Sequence, residues 1–215
     1  MIDSTSLDKA KLRNLIQKFD QARILVVGDL ILDEYLVAKP ERISREAPVM
    51  ILKYIRSRFA LGGAANAAAN IAALGAKVSL LGVTGDDVSA NALTELCESS
   101  HINLLKVLDR SRQTTTKTRI ISTSSSNPDS GTILQQQVLR IDREDSVDVS
   151  SALEDDIFAR VQSQIDACDL VLLSDYDNGV LSSELSRRLL SLASSASKKV
   201  IVDTNGDIYK FKGAY

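Results

Sequence analysis

Residues 61–75 read LGGAANAAANIAALG, a sequence that predicts a glycine loop opening directly into a helix. Glycine has no Cβ, so another backbone or a ligand can approach closely, and the first helical turn offers free N–H groups. The alanines favour a helix of little bulk that can pack close to a sheet. Asn66 and Asn70 are one turn apart and share a face. Taken alone, the stretch fits either a ligand-binding loop or a tightly packed core helix.

The overall composition narrows the class of protein. The 215 residues carry a net charge of -2, which argues against a surface that coats nucleic acid. No apolar run is long enough to span a bilayer, and no signal peptide is recognisable. Cys97 and Cys168 lie in apolar contexts without metal-ligand spacing, so we expect reduced cysteines in a cytoplasmic protein with no membrane partner. The single histidine, His101, cannot build a zinc site or a histidine-based triad.

Four short apolar runs alternate with helical patterns and predict the parallel strands of an α/β fold. Each run ends in polar residues or glycine; the runs are 23–28, 77–82, 169–173 and 199–202. Ligands of open α/β sheets bind at the carboxyl ends of strands. Asp29 and Asp33, which follow the first run, are therefore candidates for accepting hydrogen bonds from sugar hydroxyls, or else turn and cap acids. The missing G-x-G-x-x-G pattern argues against a dinucleotide site.

The strand–helix alternation breaks in two regions, near 46–58 and 104–142. The runs 49–58, 104–108, 114–122 and 132–141 look like strands, with a predicted loop at 39–48 before the first of them. Together they predict a small separate β-sheet that serves as a lid or as a dimer interface. Lys117, Arg119 and Arg140 lie within it, either to meet an anionic substrate or as solvated charges on strands.

Seven short motifs occur in a fixed order after residue 20. They are VVGD at 26–29, RISREAPV at 42–49, GGAAN at 62–66, TTKTR at 115–119, LRID at 139–142, SDY at 174–176 and KGA at 212–214. In order and spacing the chain resembles the ribokinase-like (PfkB) carbohydrate kinases, and the RISREAPV motif resembles their heptose-7-phosphate kinase branch.

The resemblance implies a doubly wound, mainly parallel sheet with a small β-sheet lid. It also implies transfer of the ATP γ-phosphoryl group to a sugar phosphate, with Mg²⁺ accompanying ATP, and a homodimer formed through the lid. The residues it implicates in substrate binding are Asp29, Asp33, Gly62, Gly63 and Asn66 for the sugar, with Lys117 and Arg140 for its phosphate. Asn205 is expected on the nucleotide side.

Three departures from the family pattern bear on function. Asn178 stands where heptose kinases usually have lysine, and Thr204-Asn205 stands where they often have Pro-Lys or Pro-Asn. The Gly-Ala-Gly-Asp motif, whose aspartate is the general base of these kinases, does not occur. We therefore expect residues 1–215 to be the N-terminal portion of a ribokinase-like kinase domain, with the base beyond Tyr215. The alternatives are a catalytically incomplete sugar-phosphate-binding or dimerising remnant, and a kinase of another sugar.

Overall fold

The computed structural model describes residues 8–125 and 133–214. The helices are α1 (Lys9–Ile16), α2 (Gly63–Ala73), α3 (Val88–Ser99), α4 (Ser151–Gln164) and α5 (Ser183–Ser195). The strands are β1 (Arg23–Gly28), β2 (Leu30–Ile43), β3 (Met50–Gly62), β4 (Lys77–Thr84), β5 (Ile102–Leu108), β6 (Thr116–Ser125), β7 (Ile133–Arg143), β8 (Leu170–Asp175) and β9 (Lys199–Thr204).

Five of these strands form a parallel sheet in the order β5-β4-β1-β8-β9. Its apolar strands are buried on both faces near the centre, as parallel strands usually are. Leu25 and Val27 of β1 face the core under α4 and α5, whereas Val26 between them faces the core under α2 and α3. The predicted α/β class with a mainly parallel sheet is confirmed.

The chain reverses its direction across the sheet between β1 and β8. From β1 it proceeds outward through β4 to β5, and it then returns to the other side of β1 to form β8 and β9. Such a reversal opens a crevice at the carboxyl ends of the two strands, where α/β proteins bind ligands. Gly28 allows β1 and β8 to approach closely at their carboxyl ends, because a Cβ at this position would lie 1.9 Å from the Ser174 carbonyl oxygen.

The second sheet has the order β3-β2-β6-β7 and corresponds to the predicted lid. Two sequence predictions about it were wrong. The run 104–108 belongs to β5, which pairs with β4 in the main sheet. Residues 39–43 of the predicted loop at 39–48 are the end of β2, which continues through Pro40, whereas 44–48 lie between β2 and β3. Proline is tolerated there because, among the described residues, β2 is paired with β6 only up to Ala38, and a strand needs no N–H on an unpaired side.

The helical spacing of Leu12, Leu15, Ile16 and Phe19 predicts an amphipathic helix near residues 6–19, whereas α1 ends at Ile16 and has no buried residue. Asp8 caps α1 by accepting from the Ala10 N–H at 2.9 Å. Leu15 and Ile16, expected to face a core, are 57% and 61% exposed. The predicted start of this helix falls on residues outside the described part of the chain.

Candidate functional site

Asp29 stands at the junction of the two sheets, directly after β1. It is 1% exposed, and its carboxylate accepts the backbone N–H groups of Tyr176 at 2.7 Å, Asn178 at 3.3 Å and Val180 at 3.2 Å. Burial raises the pKa of Asp29, and the three amides only partly oppose this. The carboxylate thus holds the loop after β8. Both of its oxygens are engaged in the interior, and its predicted contact with the sugar stays a prediction.

Asp33 lies four residues further on, in β2, and borders the start of α2. A Cβ added to Gly62 would lie 3.0 Å from Asp33 Oδ2. Asp33 Oδ1 accepts from Arg119 Nη1 at 2.5 Å, and this hydrogen bond raises the pKa of the Arg119 guanidinium. Both side chains remain about one-fifth exposed, at 18% and 22%. A fixed, partly accessible carboxylate therefore faces the glycine loop.

The two glycines are required first by the protein's own packing. Gly63 has φ +52°, and a Cβ there would lie 2.5 Å from the Asp29 carbonyl oxygen. The same oxygen accepts the Ala64 N–H at 3.0 Å. Asn66, in the first turn of α2, is exposed and accepts weakly from Asn70 Nδ2 at 3.5 Å. The loop thus seats α2 against the β1–β2 turn and leaves the Asn66 side chain open to solvent.

The strand register of the lid aligns the remaining charged candidates. Asp33 is opposite Lys117, and Lys117 is opposite Asp142, so the three side chains share one face of the sheet. Lys117 Nζ lies 3.2 Å from Glu144 Oε2, and Arg140 Nη2 lies 2.9 Å from Asp142 Oδ2. Both cations predicted to bind a phosphate are therefore paired with carboxylates in this structure.

Tyr176 follows β8 directly, and its backbone N–H donates to Asp29. Burial raises the pKa of the Tyr176 phenol, and the nearby carboxylates of Asp203 and Asp33 raise it further. The phenol is thus within electrostatic reach of carboxylates from the lid and from β9. Sequence reasoning quoted Tyr176 within a motif and did not select it as a site residue. Its position at the end of a buried strand was the available signal.

A second missed residue, Lys210, brings a cation to the ends of β8 and β9. Its Nζ lies 3.4 Å from Oδ2 of the buried Asp175 and 3.5 Å from Asp177 Oδ1. Burial disfavours the charged amine, yet the two carboxylates outweigh it and raise the pKa of Lys210. Asn205, predicted on the nucleotide side, is exposed nearby, and its N–H donates to the Asp175 carbonyl at 3.0 Å. The structure therefore places Asn205 at the carboxyl end of β9 in the main sheet, whereas Asp33 lies in the second sheet.

No group of three or more His, Cys, Asp or Glu side chains in residues 8–125 and 133–214 is arranged to hold a metal ion. Within the same ranges no helix has the length and apolarity needed to cross a membrane.

Comparison with solved structures shows that the fold is ribokinase-like. The fold matches a carbohydrate kinase from Agrobacterium tumefaciens with TM-score 0.57 and 18% identity, covering 84% of this chain and 53% of that one. It also matches phosphofructokinase-2 from Escherichia coli in complex with fructose-6-phosphate, with TM-score 0.58 and 19% identity. The match covers 86% of this chain and 56% of that one.

Sequence comparison then gives the family. Residues 21–210 match the family described as "pfkB family carbohydrate kinase", and the chain belongs to this family. It is 40% identical over 201 residues to the bifunctional protein HldE of Desulfatibacillum aliphaticivorans, covering 93% of this chain and 39% of that protein. It is 39% identical to the bifunctional protein HldE of Helicobacter pylori strain G27, and this match covers 87% of this chain and 38% of that protein. The chain thus spans about two fifths of these curated relatives.

Proposed function

We propose that this chain is the sugar-binding part of a kinase that transfers the γ-phosphoryl group of ATP to a sugar phosphate, with heptose 7-phosphate as the substrate. The kinase class follows from the family. The choice of heptose is supported by the RISREAPV motif and by the similarity to the HldE proteins. The single observation that carries the site is the Asp33 carboxylate, held by Arg119 and facing the glycine loop at the junction of the sheets.

Within this proposal Asp33 accepts hydrogen bonds from sugar hydroxyls, and Asn66 supplies a second polar group from α2. Arg119 positions Asp33 by fixing one of its oxygens and leaves Oδ2 toward the glycine loop. Lys117 and Arg140 bind the sugar phosphate. Their present carboxylate partners can be displaced, because a phosphate dianion offers more charge and more acceptor oxygens to a cation than one carboxylate does.

ATP is proposed to approach from the ends of β8 and β9, where Asn205 is exposed. No group of three or more His, Cys, Asp or Glu side chains among the described residues is arranged to hold a metal ion, and in this proposal Mg²⁺ arrives with the phosphates of ATP. Phosphoryl transfer depends on holding the two substrates in line and on stabilising charge. The residues described here account for holding the sugar, and the proposal assigns no general base to them.

The test is calorimetric titration of heptose 7-phosphate, fructose 6-phosphate and ribose 5-phosphate into the purified chain. Asp33→Ala should weaken the preferred ligand at least about tenfold, since a hydrogen bond to a charged group contributes about 1.5–3 kcal/mol. Asp86→Ala is the control, because that carboxylate is 68% exposed in a surface pair. Equal affinity of Asp33→Ala and wild type would refute the site. Preference for a sugar other than heptose would support a kinase of that sugar.

A coupled assay for ADP release separates the two functional classes. A kinase forms ADP only when ATP and the preferred sugar phosphate are both present. If residues 1–215 bound the sugar phosphate without forming ADP, this chain would be better described as a catalytically incomplete binding protein.

We also propose that the lid forms a homodimer, and an apolar patch on the lid supports this. Leu139 and Ile141 lie on one face of β7 and are 54% and 46% exposed. The row of Leu139 continues through Ile120 and Leu36, whereas Glu34 and Thr118 follow Ile141 on its row. Sedimentation velocity should show a dimer that Leu139→Arg dissociates. Val88→Arg, at a position 82% exposed on α3, should leave it intact, and a monomeric wild type would refute the proposal.

A further inference from the structure

The chain passes between the main sheet and the lid at four places among the described residues. These connections are the β1–β2 turn at Asp29, the β3–α2 junction at Gly63, the segment 109–115 before β6 and the segment 144–150 after β7. The orientation of the lid depends on how they are held, because two rigid elements move relative to each other at the few residues that link them. That orientation sets where Asp33, in β2, stands relative to the glycine loop.

Three of the four connections are held to the loop after β8, residues 176–180, either directly or through Asp29. The Asp29 carboxylate accepts three N–H groups of this loop, and the Asp29 carbonyl accepts the N–H of Ala64, at the β3–α2 junction. The segment after β7 reaches the loop through the Val149 N–H, which donates to the Gly179 carbonyl at 2.9 Å. The loop is therefore the part of the main sheet against which these connections rest.

The Arg112 side chain joins the fourth connection to the same loop. Its Nη1 donates to the Asn178 carbonyl at 3.2 Å, and its Nη2 donates to the Val147 carbonyl at 2.9 Å. Its Nε donates to Asp109 Oδ2 at 2.9 Å. One guanidinium thus contacts the segment before β6, the segment after β7 and the loop after β8. The Arg112 and Asp109 side chains are 10% and 8% exposed, so water competes little for these hydrogen bonds.

Asp109 fixes the guanidinium in this position. Its Oδ1 accepts from the hydroxyl and the N–H of Ser111 at 2.6 and 2.9 Å. Burial alone would raise the pKa of Asp109, but the hydrogen bonds from Ser111 and the charge of Arg112 outweigh it and lower that pKa. Arginine suits the position because its planar fork of five donors can serve three acceptors at once, whereas the ammonium of lysine is a point charge.

We infer that Arg112 is a positioning residue, which fixes the orientation of the lid on the loop after β8 and thereby keeps Asp33 facing the glycine loop. Arg112 contacts no ligand itself and acts through the two lid connections and Asn178. A ligand held by Asp33 on the lid therefore also stabilises the loop after β8, and that effect passes through the Arg112 contacts. The effect on a ligand rests on the proposed sugar site, whereas the effect on the lid does not.

The first experiment uses no ligand and compares amide hydrogen exchange in wild type, Arg112→Met and the control Arg110→Met, in which the replaced side chain is 78% exposed. In Arg112→Met the amides of Val149 and 176–180 should exchange about tenfold faster or more, because hydrogen bonds from a charged group are lost. Amides of the central strand β1 should be unchanged, because the opening is local. Arg110→Met should match wild type.

If Arg112→Met does not fold, Arg112→Lys takes its place, because lysine keeps a charge beside Asp109 and cannot serve both carbonyls. Exchange at Val149 and 176–180 that stays as in wild type would overturn the inference. Equal acceleration in β1 would overturn it too, since it would show a general loss of stability.

The second experiment adds heptose 7-phosphate at a concentration that saturates each variant, as determined by titration calorimetry. Arg112→Met should bind about tenfold more weakly than wild type. At saturation the ligand should slow exchange of Val149 and Val180 in wild type and in Arg110→Met, and it should not do so in Arg112→Met. Equal slowing in wild type and Arg112→Met would overturn the positioning role. If wild type bound no heptose 7-phosphate, the proposed function would fail, and the first experiment would still decide the role of Arg112.

Discussion

Replacement of Asp29 by alanine is the sharpest test of how the two sheets are joined. The substitution removes the acceptor for the N–H groups of Tyr176, Asn178 and Val180. The last two donors are buried, and each buried donor left without a partner costs about 1–3 kcal/mol. Part of that loss is recovered, because the carboxylate is itself unfavourably desolvated. We therefore expect Asp29→Ala to lower the free energy of unfolding by about 2–4 kcal/mol.

The assay is urea denaturation followed by circular dichroism, combined with amide hydrogen exchange of residues 176–180. Exchange of these amides should accelerate selectively, which a general loss of stability would not produce. Asp29→Asn should retain one acceptor oxygen and lose about half as much stability. The exposed Asp86→Ala serves as the control and should change neither measurement. If Asp29→Ala lost under about 0.5 kcal/mol, or exchange at 176–180 were unchanged, the assigned role of Asp29 would be wrong.

The stability difference between wild type and Asp29→Ala should change with pH in a defined direction. Burial raises the pKa of Asp29 above its ordinary 3.8. A raised folded-state pKa means that the folded state holds the proton more tightly than the unfolded state does. The resulting stabilisation is fully present below pH 3.8 and declines as the pH rises through the shifted pKa. The advantage of wild type over Asp29→Ala should therefore shrink as the pH is raised from about 4 to 7. An advantage that grew over this range would contradict the assignment.

Three further perturbations test neighbouring features. Gly63→Ala should lower the free energy of unfolding, measured by urea denaturation, by about 2–4 kcal/mol, because the new Cβ meets the Asp29 carbonyl. Gly213 also has positive φ but has nothing within 4 Å of an added Cβ, so Gly213→Ala should lower it by about 1 kcal/mol. Equal losses in the two variants would contradict the clash at Gly63. Arg119→Ala should cost about 1–2 kcal/mol and weaken sugar-phosphate binding, since it frees the Asp33 carboxylate; unchanged affinity in titration calorimetry would contradict the positioning role. Burial raises the pKa of Cys97 to about 11, so iodoacetamide at pH 8 should modify it only in urea, and rapid modification of the native protein would refute its burial.

Much of the site could be predicted from sequence because its parts are local. The carboxyl ends of β1, β8 and β9 were recognisable from apolar runs that end in polar residues, and these ends meet wherever the strands are parallel. The glycine loop before α2 was recognisable from its composition. The local sequence pattern could not predict which residue pairs with each charged side chain. Asp29 and Asp33 looked alike in sequence, yet one is buried under three amides and the other faces the glycine loop.

The errors in the lid have the same origin. The run 104–108 has a composition that suits either sheet, and only its parallel register with β4 assigns it to the main one. β2 was not predicted as a strand, and the charged residues around Pro40 are typical of a loop. The strand continues there although, among the described residues, it is paired beyond Ala38 with β3 alone.

The sequence by itself determined the class of fold, the position of the strand ends and the glycine loop, because these depend on residue type and on spacing along the chain. Only the tertiary structure decided which carboxylate pairs with which cation, as in the pairing of Lys210 with Asp175 at the end of β8. Those features depend on contacts between residues far apart in sequence. Local propensity carries no information about which distant segments will meet.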